Sequence, residues 1–248
     1  MTDQPVSAAV LNILGKAATS SIATLLHKRG LRGQFIQGVR LIGVPGRRMV
    51  GPAFTLRYIP AREDIDVVEV FRDPQHPQRL AVDTVPSGHV LVMDCRRDAT
   101  AASGGSLLLT RLQVRGCAGV VTDAGLRDAD AIAGLALPCF AAGASAPTNL
   151  ARHHAVDINV PIGCGGAPVY PGDIIVGDGD GVIVIPAHLA EAIAAEVGPM
   201  EAFENFALAE IAAGAPVIGT YPPDAATQAR YDAFKCGEYV PGERGDKP

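Results

Sequence analysis

The apolar residues of this chain are broken into short β-branched runs, each closed by glycine, proline or aspartate, and stretches of helical spacing fall between them. Residues 51–60 and 88–94 are two such runs, and residues 119–123, 137–141 and 155–160 continue the series. Residues 169–178 and 181–186 pair as a predicted hairpin turning at Gly179, Asp180 and Gly181. Helical spacing is strongest over residues 6–28, where Leu11, Leu14, Ala18, Ile22 and Leu25 mark one face and Gly30 suits a left-handed cap. Further helices are predicted over 106–115 and 187–213. Strands alternating with helices imply an α/β chain.

Composition narrows the function. With 248 residues, 48% of them hydrophobic, the chain can bury one sizeable core, and residues 1–213 are expected to form one domain that includes the N-terminal helix. Residues 214–248 read as a proline- and glycine-rich C-terminal extension, either wrapping a neighbouring subunit or partly disordered. A net charge of −5 with scattered basic residues gives no electrostatic track for nucleic acid. No apolar run reaches membrane-spanning length and the start shows no secretory pattern, so no membrane and a cytoplasmic location are expected. Cys95, Cys117, Cys139, Cys164 and Cys236 are widely spaced and read as buried, reduced thiols.

Chemistry is expected where Gly104 and Gly105 precede a helix and Arg127 and Asp128 follow the next strand. A helix start led by glycines offers unpaired N–H groups and a partial positive charge, which suits a carboxylate. Arg127 adds a forked cation and Asp128 a hard oxygen ligand for a divalent ion. Either pair alone is ordinary turn or surface chemistry; together they suit a small 2-oxo acid. Three other features read as structural. His153 and His154 point to opposite faces of a strand and are assigned to surface or loop, Arg57 and Arg62 to ion pairing as readily as to substrate, and the Asp178 to Gly181 segment to a turn.

The segments Gly104-Gly105-Ser106-Leu107-Leu108, Arg115 to Asp128 and Val169 to Pro186 resemble the RraA-like proteins, which include class II 4-hydroxy-4-methyl-2-oxoglutarate and 4-carboxy-4-hydroxy-2-oxoadipate aldolases. The resemblance extends from about Ser20 to Ala213. It implies a β/β/α swivelling-domain (RraA-like) fold with flanking helices, assembled as a homotrimer or homohexamer with sites at subunit interfaces. It implies that Asp128 binds Mg²⁺ or Mn²⁺, that Arg127 contacts the oxo acid, and that Gly104, Gly105, Ser106, Leu107 and Leu108 form the substrate-binding loop. Ser106 stands where the aldolases carry an acidic residue that orients metal-bound water, a role open here to Asp98 or to a neighbour's glutamate.

The expected activity is therefore that of a metal-dependent lyase, releasing pyruvate from a short 4-hydroxy-2-oxo acid by retro-aldol cleavage or decarboxylating oxaloacetate, through one stabilised enolate. Two alternatives stand beside it: a non-catalytic regulator that binds a ribonuclease, and a dehydratase of a sugar-derived 2-oxo acid.

Overall fold

Each apolar run predicted as a strand is a strand in the structure, a computed structural model in which residues 6–242 are described. In chain order the strands are β1 (Phe35–Ile36), β2 (Arg40–Ile42), β3 (Met49–Pro60), β4 (Val90–Asp94), β5 (Ala102–Gly104), β6 (Gly119–Leu126), β7 (Cys139–Ala144), β8 (His153–Ile158), β9 (Ile174–Gly177) and β10 (Val182–Ile185). The helices are α1 (Ala8–Leu14), α2 (Thr19–Lys28), α3 (Pro77–Thr84), α4 (Ser106–Val114), α5 (Ala129–Ala133), α6 (Ala190–Ala212) and α7 (Ala225–Lys235). The expected α/β architecture, a sheet with flanking helices, is what the chain adopts.

The described residues form two compact units that divide between Ala194 and Ala195. In the first unit β3, β4, β6 and β7 lie parallel, and the sheet order is β1-β10-β9-β3-β4-β6-β7-β2. The long β3 carries two antiparallel partners, β9 along Met49 to Pro52 and β8 along Leu56 to Pro60. All eight residues of β6 are buried, because both faces of the parallel layer are covered. Adjacent residues accordingly enter different cores: Leu91 and Val120 pack with Leu109 and Leu112 of α4, while Val92 and Val121 pack with Phe140 and Ile175. Each such side chain contributes roughly 1.5–3 kcal/mol of burial.

The helix predicted over residues 6–28 is two helices, α1 and α2, bent by 106°. Gly15 closes α1 against Val50, whose Cγ1 would lie 2.8 Å from any Cβ at that position. Arg48 takes the carbonyls freed at the break, donating from Nε to Gly15 O at 2.8 Å and from a terminal nitrogen to Ala17 O. Thr19 then starts α2 on the Asp178 carboxylate, with its N–H at 2.8 Å and its hydroxyl at 2.7 Å. The end of α2 is as predicted. Gly30 has φ +82°, its N–H reaches His27 O and the Leu31 N–H reaches Leu26 O, the pairing of a left-handed cap.

In the second unit the segment read as an extension contains α7, capped by Asp224, which accepts from Thr227 N–H at 2.7 Å. Phe203, Phe206, Tyr231 and Phe234 form a ring cluster with centroids 5.0–6.5 Å apart. The Glu210 carboxylate accepts from Arg230 Nε at 2.9 Å, Tyr239 OH at 2.7 Å and Gly242 N–H at 3.3 Å. The division between the two units falls inside α6. Among the described residues no single helix is long and apolar enough to cross a membrane.

Candidate active site

The chain leaves the buried β6 at Arg127, whose N–H is anchored on Gly104 O at 3.0 Å. Asp128 follows in the left-handed region, with φ 62° and ψ 43°, a conformation that aspartate tolerates better than most residues. Its carbonyl begins α5 by accepting from Ile132 N–H at 3.0 Å. Its carboxylate does not cap α5. It crosses instead to α4, where Oδ2 accepts the N–H and the hydroxyl of Ser106, each at 3.0 Å.

Gly105 makes this crossing possible. Its backbone is extended, so left-handed geometry is not the reason for glycine; a Cβ there would sit 2.7 Å from Asp128 Oδ2 and 2.8 Å from Arg127 Cγ. Arg127 Nε stands 3.9 Å from the same Oδ2. The Ser106 N–H and then its hydroxyl, with Arg127 adding least, hold the Asp128 carboxyl below the ordinary carboxylate range against the opposing effect of burial. The site therefore keeps an ionised carboxylate beside a guanidinium.

Gly104, Gly105, Leu107, Leu108, Arg127 and Asp128 line one cleft of about 320 Å³. The structure thus brings together the glycine pair, the helix start and the Arg-Asp pair, at the carboxyl ends of β5 and β6, where open α/β sheets bind ligands. Ser106 is not among the residues lining the cleft, and both its donors are engaged by Asp128. The N–H groups of Leu107 and Leu108, in the first turn of α4, have no acceptor among the described residues.

Several lining residues were not anticipated: Val68, Phe71, Arg79, Thr148 and Asn149. Pro77 is the first residue of α3 and Arg79 sits in its first turn. A proline that starts a helix, followed by an arginine at the end where the helix dipole disfavours a cation, was the available signal.

Other candidates resolve as structure. Asp98 does not line the cleft; it accepts from Thr100 and from Arg152 Nε at 3.2 Å. His153 is buried against the Tyr58 ring, correcting its assignment to surface or loop, while His154 Nδ1 meets Asp66 Oδ1 at 2.7 Å. Arg57 pairs with Asp157 and Arg62 with Asp64, and Asp178 with Gly181 closes the predicted turn. Cys236 is exposed, unlike the other four cysteines, and all five are free.

Among the described residues no group of three or more His, Cys, Asp or Glu is arranged around a metal site. A fully protein-coordinated ion does not fit this cleft. A Mg²⁺ or Mn²⁺ held by Asp128 alone does, because such ions often take one or two protein carboxylates and complete their shell with water and substrate oxygens. Asp128 Oδ1, the oxygen that Ser106 leaves free, is the available ligand.

Comparison with known proteins bears on these residues. The RraA-like family model, described as Aldolase/RraA, matches residues 16–184. A Halalkalibacterium halodurans protein provisionally named 4-hydroxy-4-methyl-2-oxoglutarate aldolase is 36% identical over 143 residues, which is 56% of this chain and 60% of that protein. The chain thus spans less than two thirds of this relative's length. Streptomyces coelicolor RraAS2, described as an unusual member of the RNase ES inhibitor RraA protein family, superposes with a TM-score of 0.72 at 26% identity over 83% of this chain and 98% of that one. An uncharacterized Pseudomonas syringae pv. tomato protein superposes with a TM-score of 0.74 at 26% identity over 88% and 99%.

Proposed function

Because the chain belongs to the RraA-like family of aldolase/RraA proteins, we propose that this cleft is the active site of a divalent-metal-dependent carbon–carbon lyase. Its substrate is a short 4-hydroxy-2-oxo acid cleaved to pyruvate, or oxaloacetate decarboxylated to the same product. The observation that carries this reading is the ionised Asp128 carboxylate beside Arg127 at a glycine-led helix start.

The N–H groups of Leu107 and Leu108 bind the C1 carboxylate of the substrate at the positive end of α4. Arg127 lies beside it and offers its fork to the oxygen on which negative charge builds as the bond beyond C3 breaks. Asp128 Oδ1 would hold Mg²⁺ or Mn²⁺, and the ion would supply Lewis-acid stabilisation of the enolate. Ser106, with both donors on Oδ2, fixes the carboxylate in place. Retro-aldol cleavage also requires a base for the C4 hydroxyl, whereas decarboxylation does not. Among the described residues Asp128 is the one carboxylate lining the cleft, so this chain's own residues support decarboxylation more directly.

The test is pyruvate release from oxaloacetate and from 4-hydroxy-4-methyl-2-oxoglutarate with Mg²⁺ or Mn²⁺. Turnover is expected to vanish with EDTA and to fall at least ~100-fold in Asp128→Ala, in line with loss of a group acting on the transition state. Metal-independent turnover, or full activity in Asp128→Ala, overturns the proposal. The second reading, a regulator that binds a ribonuclease, draws support from the likeness to RraAS2. It takes precedence if no 2-oxo acid is turned over.

A further inference from the structure

We propose that Arg79 is the specificity-determining residue of this cleft, a second guanidinium that binds an acidic group at the far end of the substrate and so selects dicarboxylic 2-oxo acids. The inference rests on the lyase reading for the identity of the 2-oxo acid and on the structure for the second anion.

Arg79 occupies the first turn of α3, where the helix dipole opposes a cation, and that turn contains no acidic residue to offset it. Arg57, Arg62, Arg111, Arg152 and Arg230 each pair with a carboxylate, whereas Arg79 has no such partner among the described residues. It is nonetheless held in place. Its guanidinium carbon lies 4.2 Å from the centroid of the Phe71 ring, and that ring is packed edge-on to His76 at 5.3 Å. This cation–π contact holds the guanidinium over the ring, and a planar guanidinium carries N–H donors matched to a carboxylate.

The turn bearing Arg79 is tied to the rest of the site. Gln78 Nε2 donates to Ser103 O at 2.7 Å, joining the start of α3 to β5, the strand that leads into Gly105 and α4. Arg79 and Arg127 line the same cleft, and of the charged groups there only Asp128 is negative. Burial lowers the proton affinity of Arg79 most; Tyr58 opposes that effect, and the nearby Arg127 adds to it. Two guanidinium groups facing one carboxylate leave a surplus of positive charge, and a ligand with a second acidic group neutralises it better than a monocarboxylate.

The test compares 2-oxoglutarate with 2-oxopentanoate, which has the same carbon chain without the second carboxylate. Calorimetric binding with Mg²⁺ present is expected to show the native protein favouring 2-oxoglutarate by roughly 10- to 100-fold, the worth of one charged hydrogen-bonded contact. Arg79→Gln should erase the preference while leaving 2-oxopentanoate affinity within about twofold of native, since no lost contact involves that ligand. Arg79→Lys should retain part of it, and it carries the test if Arg79→Gln does not fold. The proposal is overturned if the native protein shows no preference or binds neither ligand, if the preference survives in the variant that folds, or if both affinities fall together. Should the preference follow Arg79 while no 2-oxo acid is turned over, the lyase reading fails and the dianion site stands.

Discussion

Asp128 and Gly105 depend on each other. A left-handed aspartate throws its carboxylate off its own helix, and a residue without Cβ lets that carboxylate reach the next one. The side chains that a Cβ at position 105 would displace, Asp128 and Arg127, are partly exposed and free to swing aside. Gly105→Ala is therefore expected to spare the fold and damage the site, lowering oxaloacetate turnover roughly 10- to 100-fold, as a displacement of about 1 Å in a catalytic group does. Circular-dichroism melting beside kcat/KM separates the two effects. A loss of activity that merely tracks a loss of stability contradicts the assignment.

Among the elements, the strands were the most legible, because each buried run of Val, Ile and Leu is closed by a turn residue. The break between α1 and α2 was not legible, since its cause is Val50 and Arg48, partners supplied by the tertiary fold. The C-terminal α7 was hidden for a related reason. Its only large apolar residues are Tyr231 and Phe234, the rest being alanine, and their packing partners Phe203 and Phe206 lie on α6. Glu210 anchors that segment, and its chemistry sets a pH dependence. Burial pushes the carboxyl up, but Tyr239, Gly242 and Arg230 outweigh it and hold the group below its ordinary value. A depressed folded pKa means the stabilisation is complete above the unfolded value, about 4.3, and is lost as pH falls through the folded one. Glu210→Gln is expected to weaken this unit by about 1.5–3 kcal/mol at pH 7. Near pH 3 the difference should shrink, and a constant difference across that range, followed by tyrosine near-ultraviolet circular dichroism, argues against the anchor.

At the scale of the whole molecule, half of the cleft was readable from sequence. Glycines before a helix and an Arg-Asp pair after a strand are local patterns, whereas Arg79 and Phe71 join them through the tertiary fold, in which Gln78 ties α3 to β5. The same cleft has an apolar rim: Val68 is 68% exposed and Leu107 82% exposed. Side chains of this kind are costly to leave in water beside a charged site and suit an interface with a second copy. The resemblance to RraA-like proteins implies a homotrimer or homohexamer, and this rim is the face on which we propose that such an interface borders the site. Sedimentation should give three or six chain masses, and dilution should lower specific activity as the assembly separates. Val68→Glu, which places a charge on the rim without touching Arg127 or Asp128, should shift that separation to higher protein concentration by roughly tenfold or more. A monomer whose specific activity is independent of concentration would sink this expectation and leave the cleft complete within one chain.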